Sequence, residues 1–517
     1  MAELEQAQEA IVKPSLVWFY GAAALLIILF IRSFFSLSWP VNHDCAMYLE
    51  AGQMLLQGKI PYIDFIDLNP PLIFYLSAIP AYFTQITGLS VDQSFILSVW
   101  LLCLSSCFLT AMIVKRAPAP DKTLFGPIVF GLAAFSFIVG EWGEFGQRQH
   151  LAALGLMPFI FCRWVRSTNN KVPSVIAIVS GCFFGLMIAL VPQYALIPVA
   201  AELAFQWRKQ SVRSLTYAEI LSALLTILLY GMLIMALPEP ARVALWQRWL
   251  PLTMHDYAAY NGDWMAFTTF PFIIGCLPLF LIGLAIALKK RCSLTIPLIV
   301  CYLAAYLATL IQLKGWYNHY VPMLAAAVIF ICVQLQCWFD NQTRSRSELF
   351  KISVMTLILF VCTEPSALLR QSWHYPSSEL ETIKRETQSG DKVIVLSSAV
   401  PDIYPALLQA KRANGSRFLF LFPVEMLRYQ EKNGKTATEK EKASTDLKVI
   451  LTELEEDIDK SKPKLILIPC GKNAAERKIS MLNFFEENGL IDKLAERYVA
   501  DGECTGRKNT FAIWKRK

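Results

Sequence analysis

The chain has 517 residues, of which 55% are hydrophobic and 17% charged, with a formal net charge of +7. Soluble domains carry about 25% charged residues, so the composition excludes a soluble enzyme and points to a polytopic helical membrane protein. The positive excess does not indicate a nucleic-acid partner. Basic residues cluster between apolar runs, at Lys115-Arg116, Lys122, Arg163, Arg166, Lys171, Arg208-Lys209, Arg213, Lys289-Lys290-Arg291, Arg344 and Arg346, which is the positive-inside pattern.

In chain order, the first apolar run, Leu16 to Phe34, is too long for a signal-peptide core and has no small-residue cleavage site, so it reads as a retained span. Beyond it come His43-Asp44-Cys45-Ala46-Met47-Tyr48, then Gly58, Pro61-Tyr62, Asp64 and Asn69-Pro70-Pro71-Leu72. The next run, Pro71 to Gly88, is broken by Pro80 and carries Tyr75, Ser77, Tyr82, Thr84 and Gln85. If it crossed the bilayer, every later basic loop would fall outside. It therefore reads as an interfacial helix.

Later spans are expected at about 91–114, 123–140, 149–165, 173–191, 194–207, 215–237, 266–288, 294–313, 319–339 and 348–368. With the first, that makes about eleven transmembrane helices, with the N-terminus cytoplasmic and the C-terminal domain extracytoplasmic. The short run at 194–207 and its neighbour around Pro192 could instead form a re-entrant pair.

This topology gathers the unusual polar residues on one outer face. The first outer loop supplies His43, Asp44, Tyr48, Glu50, Asp64 and Asp67. A partly buried carboxylate at a cavity mouth can act as a general base, which suits Asp44 at the start of a helix-like stretch. Glu50 and Asp67 read as solvated loop charges. The second loop, Gly140 to His150, contains Glu141, Glu144, Arg148 and His150; Arg148 suits either a phosphate or an ion pair with Glu141 or Glu144. The third, around Lys314-Gly315-Trp316-Tyr317-Asn318-His319, suits either an interfacial belt with a snorkelling lysine or a cationic shelf for a sugar phosphate. A fourth offers Arg242, Arg248, His255, Asp256 and Asp263 with Trp246, Trp249, Tyr257, Tyr260 and Trp264, a mixture that fits a carbohydrate groove or a lid on the lipid surface.

After Trp373 the pattern changes to short apolar runs (Val393 to Leu396, Phe418 to Phe422, Leu465 to Ile468, Thr510 to Trp514) alternating with charged helical stretches at Ala437 to Lys460 and Met481 to Tyr498. That alternation predicts a small α/β domain. The expected division is residues 1–373 as a transmembrane module, with 35–90 as its first outer loop, and 374–517 as the soluble domain. The sequence has no P-loop, no GxGxxG after a strand, no CxxC and no HExxH. Of the 13 cysteines, only Cys470 and Cys504 fall in the tail, where an oxidising exterior would permit a disulfide.

Asp44 with Ala46 and Tyr48, then Gly58, Pro61-Tyr62, Asp64 and Pro70-Pro71-Leu72, the interfacial helix and the external α/β tail resemble the GT-C superfamily of integral-membrane glycosyltransferases. Within it the protein O-mannosyltransferase and lipid A aminoarabinose transferase group, in its bacterial envelope branch, is the most similar. The resemblance implies transfer of a sugar from a polyprenyl-phosphate-linked donor to an envelope glycan, lipid or protein hydroxyl at the outer face of the bacterial inner membrane, with inversion. Asp44 would be the base and Arg148, Lys314 and His319 would bind the donor phosphate. His43, Tyr48, Asp64, Glu141, Glu144, His150 and Tyr317 stand as secondary candidates. No cofactor is firmly implied. Many relatives have two adjacent acids where this chain has His43-Asp44, which leaves divalent-cation use open, and the oligomeric state is unspecified. The rival class is a transporter or flippase of lipid-linked saccharides, but the two halves show no internal repeat and the ionisable groups gather at one face. A non-enzymatic assembly scaffold would leave those groups unexplained.

Overall fold

The computed structural model describes residues 16–36, 41–206, 216–259, 271–312, 314, 316–340, 347–370, 378–470, 480–506 and 509–517. Six described helices are long and apolar enough to cross a bilayer: Leu16–Phe34, Val91–Val114, Asp121–Glu141, Ala218–Met235, Thr295–Gln312 and Tyr317–Phe339. Leu72–Thr87, Ser174–Leu190 and Cys276–Lys289 are shorter apolar helices. The protein is a helical membrane protein with a C-terminal domain built on a sheet.

Two compact units emerge. The first comprises residues 1–36, 96–233 and 262–373. Its axis is the helix Tyr317–Phe339, almost wholly buried, against which Phe125–Glu141, Pro271–Lys289 and Thr295–Gln312 pack. Hydrophobicity gives little drive to helix association in lipid, so close packing matters. Gly181 and Gly185 lie one turn apart on Ser174–Leu190, and a Cβ there would come within 2.1 Å of the Glu219 carbonyl and 2.5 Å of the Ala223 carbonyl on Ala218–Met235. Beside this crossing, Arg163 donates to Glu202 and Glu219 at 2.7 Å, and Arg166 donates to Glu219 at 2.9 Å while lying over the Tyr217 ring. Two cations expected in cytoplasmic loops are thus neutralised inside the unit.

The second unit combines three separate stretches, residues 37–95, 234–261 and 374–517. Its five-stranded sheet has the order β2-β1-β3-β5-β4, with β1 Lys392–Val395, β2 Ala413–Asn414, β3 Leu465–Pro469, β4 Tyr498–Thr505 and β5 Thr510–Arg516. Strands β2, β1 and β3 run parallel, and β5 pairs antiparallel with both β3 and β4. Every residue of β3 is buried, consistent with its continuous apolar run. The charged helix Ala437–Ser461 starts with a capping box between Thr436 and Glu439 and buries the stripe Ala443, Leu447, Ile450, Leu454 and Ile458. Phe418 to Phe422 is not a strand: Phe418 makes one bridge, to Ile66, and Phe422 begins a helix. Strand β4, which starts where the expected helix ends, was not anticipated because it is mostly exposed and polar, leaving no alternation to read.

Cys470 and Cys504 do not bond. The Cys470 N–H donates to Thr510 and Cys504 pairs in register with Phe511, so β5 lies between them. Two strand spacings make about 10 Å, beyond the roughly 4.4–6.8 Å that a disulfide spans.

The other two stretches are sewn to this domain. Ile66 donates to the Arg417 carbonyl at 2.7 Å and accepts from the Leu419 N–H at 3.1 Å. Arg248 grips Glu453 through two bonds of 2.7 and 2.8 Å, and the buried Trp249 meets the Phe418 ring edge-on at 6.3 Å. The helices His43–Leu56 and Leu72–Thr87 cross so closely at Gly52 that a Cβ there would lie 2.5 Å from the Ser77 backbone.

Candidate active site

In the second unit, the helix His43–Leu56 begins where the Asn42 side chain caps the Asp44 N–H at 3.0 Å. Asp44 therefore sits in a first helical turn, where the helix dipole favours a negative charge. Its carboxylate is 23% exposed and lies 3.5 Å from His43 Nε2. One turn on, Tyr48 is buried, and its hydroxyl accepts from Asn69 Nδ2 at 3.1 Å. Asn69 also donates to Asp67 at 2.9 Å, and Asp67 accepts from the Leu68 N–H. Tyr62 holds a left-handed backbone, φ 66°, while its hydroxyl donates to the Asn69 carbonyl at 2.7 Å. That conformation is costly for a bulky residue and persists because its surroundings over-determine it. Asp64 is exposed and accepts from the Ile60 N–H at 2.8 Å, which makes it a turn carboxylate.

Two acids depart from expectation. Glu50 and Asp67 are not solvated; they are 5% and 1% exposed. Glu50 Oε1 accepts from the Asn414 backbone N–H at 3.0 Å, and burial pushes its carboxyl above the usual range despite that bond. No sequence signal marks this, because its donor lies 364 residues away.

In the first unit, Arg148 opens the helix Arg148–Ser167 after a turn through Gly143 and Gly146, with φ of 70° and 78°. His150 Nδ1 accepts from the Gly146 N–H at 3.1 Å, and its ring lies between Phe135 and Phe145. His150 thus staples the turn. Glu141 pairs with Arg32 at 2.6 Å, and Glu144 is buried within the turn.

Lys314, Asn318 and His319 are all buried, whereas Trp316 is exposed and Tyr317 half-buried. The His319 carbonyl accepts from the Tyr194 hydroxyl at 2.9 Å and from Thr309 at 2.8 Å, while its ring stands 5.5 Å from that of Trp316. The charges of Arg148 and Lys314 both reach the His319 imidazole, and that of Arg148 also reaches Tyr194. The fold therefore brings the half-buried Arg148 together with the buried Lys314 and His319 in one polar cluster. Gln193 joins it by donating to Gln312 at 3.1 Å. Sequence reasoning missed Gln193 and Tyr194, although a Pro-Gln-Tyr interruption of an apolar run was the available signal.

In the described part of the fourth loop, Arg248 is committed to Glu453 and Arg242 donates to the Met235 carbonyl at 2.8 Å. The side chains of Asp256, Tyr257, Tyr260, Asp263 and Trp264 lie outside the described residues. Among the described residues, no three His, Cys, Asp or Glu side chains gather closely enough to hold a metal ion.

No family model and no curated protein matches the chain. Among solved structures it is similar to ArnT from Cupriavidus metallidurans bound to undecaprenyl phosphate, at 12% identity over 96% of this chain and 98% of that one, with a TM-score of 0.57. ArnT in the apo state gives 10% identity, 96% and 97% coverage and a TM-score of 0.53. The Archaeoglobus fulgidus oligosaccharyltransferase in the apo form (11% identity, 89% and 70% coverage, TM-score 0.44) is too remote to add to this. The chain shares the fold of ArnT along nearly its whole length.

Proposed function

We propose that the protein is a membrane glycosyltransferase that moves a sugar from a polyprenyl-phosphate donor to an envelope acceptor. The observation that carries this reading is the polar cluster of Arg148, Lys314 and His319 in a chain whose fold is shared with a protein crystallised with undecaprenyl phosphate. A guanidinium and an ammonium brought together suit the oxygens of a lipid phosphate. The reading includes about eleven spans, a cytoplasmic N-terminus and an extracytoplasmic C-terminal domain, in line with the distribution of basic loops.

In the reaction, Asp44 accepts the proton of the acceptor hydroxyl as that oxygen bonds to the anomeric carbon. The bond from that carbon to the phosphate oxygen breaks and its electron pair leaves with the lipid phosphate, so attack from the opposite side inverts the centre. Arg148 and Lys314 stabilise the charge gathering on the phosphate, and no general acid is needed because phosphate is already a good leaving group.

The test follows labelled sugar from a polyprenyl-phosphate donor to an acceptor in membranes containing the full chain. Label appearing on an acceptor, and lost in both Asp44→Asn and Arg148→Ala, supports the assignment. Label that only changes leaflets would identify a transporter instead.

A further inference from the structure

Asp44 shares its helix with a second acid for which the proposed reaction has no use. Glu50 is buried and takes the backbone N–H of Asn414, a residue of β2 at the edge of the parallel strands. Asn414 is itself fixed: its side chain donates to the Phe418 carbonyl at 3.0 Å and accepts from the Ser416 N–H at 3.1 Å. Phe418 is also the residue that bridges to Ile66 of the first outer loop. The buried hydroxyl of Tyr404 lies beside the same carboxyl, within electrostatic reach of both Glu50 and Asp67.

Helical geometry says what this attachment does. Glu50 and Gly52 are two residues apart, so they point to nearly opposite sides of their helix. On the Gly52 side, Leu72–Thr87 approaches to backbone contact at Ser77. On the Glu50 side is the edge of the sheet. A close helix crossing fixes a separation but permits rolling; a directional hydrogen bond from the other side removes that freedom. Asp44 lies about 9 Å along the axis from Glu50 and roughly 120° around it, so the grip leaves the face of Asp44 unobstructed.

We propose that Glu50 is a positioning residue: by holding its helix to the edge of the C-terminal sheet, it sets the direction in which Asp44 meets the acceptor hydroxyl. This rests on Asp44 being the base. It assigns the C-terminal domain a part in turnover, as the template against which the catalytic helix is aligned. The uncharged acceptor of a glutamine preserves the bond to Asn414, an aspartate is one methylene too short to reach it, and an alanine removes it.

The experiment uses the full-length protein in membranes, with kinetics and hydrogen exchange read on the same preparations. Glu50→Ala should lower kcat by about tenfold or more, the loss expected when a buried N–H is left without its acceptor, with donor KM held within about twofold. Exchange should quicken along His43–Leu56 and stay unchanged along Tyr317–Phe339. Glu50→Gln should restore most of the turnover. Should the alanine variant fail to fold, Glu50→Asp takes its place, with the same expected loss of kcat. Wild-type kcat in both Glu50→Ala and Glu50→Asp, an equal loss in Glu50→Gln, or unchanged exchange along His43–Leu56 overturns the proposal. Asp44→Asn run alongside separates the two readings: wild-type turnover there removes Asp44 as base, while the exchange result judges the grip of Glu50 independently.

Discussion

The two units handle buried charge differently. The membrane-helical unit buries charges of both signs, Arg163, Lys314 and Lys351 with Asp121, Glu144 and Glu219, whereas the buried charges of the mixed unit, among its described residues, are all carboxylates: Glu50, Asp67, Glu379, Asp402, Glu425 and Asp457. In a bundle of helices the backbone N–H groups are already used, so a buried charge needs a side-chain counter-ion. Arg163 finds Glu219, and Lys351 finds Glu348 at 2.9 Å and Asp340 at 3.3 Å. Where strands and turns leave N–H groups to spare, carboxylates take them instead, as Glu50 does from Asn414, Asp67 from Leu68 and Asp457 from Arg417. The comparison teaches that the helical bundle buries charge by pairing cations with acids, while the mixed unit holds acids in fixed directions with backbone donors.

The most severe way to break this contrast is Asp44→Asn. It should cut transfer by about a hundredfold or more and leave donor affinity near wild type, as judged from steady-state kinetics with labelled donor. Next, Glu219→Ala removes the carboxylate that Arg163 and Arg166 share, leaving Arg163 with Glu202 alone. We expect a loss of about 3–5 kcal/mol, read by denaturation of the solubilised protein, with Glu219→Gln intermediate. Arg148→Ala and Lys314→Ala should each raise donor KM or lower kcat/KM by about ten- to a hundredfold, while Arg248→Ala, in the mixed unit, should leave donor KM unchanged.

The smallest effect is a pH dependence. The Glu50 carboxyl is raised by burial, so its contribution to stability is complete below the ordinary glutamate range and is lost as pH rises through the raised value. Glu386 has the opposite sign: Lys515 and Arg385 hold it below the usual range, so its contribution is present above that range and is lost as pH falls through the lowered value. Thermal scans against pH should show Glu50→Gln flattening the first limb only and Glu386→Gln flattening the second only.

Much of the helical unit was legible because a charge inside an apolar run is conspicuous. Arg148, Lys314 and His319 interrupt long hydrophobic stretches, and the fold draws them together. Arg163 and Arg166 misled for the same reason: at the end of a run they look like loop cations, and nothing local discloses Glu202 and Glu219. In the mixed unit the central strand β3 was plain from its apolar run, whereas β4 was not, since an exposed edge strand has no alternating pattern to display. Glu50 and Asp67 passed for solvated loop charges because their burial depends on long-range partners. Asn414 and Tyr404 lie hundreds of residues further along, and no periodicity encodes that distance.

The bridge between Ile66 and Phe418 has a consequence for biogenesis. Synthesis runs from the N-terminus, so the loop of residues 37–95 leaves the ribosome long before the strands that receive it exist. That loop must wait, with the Glu50 and Asp67 carboxylates still hydrated and Ile66 unmatched, through the insertion of every later membrane helix. The mixed unit is therefore completed last, as a single closing event joining the early, middle and late portions of the chain. A nascent chain halted after Arg370 and before β3 would have its described membrane helices and yet lack the sheet that receives its first loop. The late strands thereby decide when the early helix bearing Asp44 is held in place.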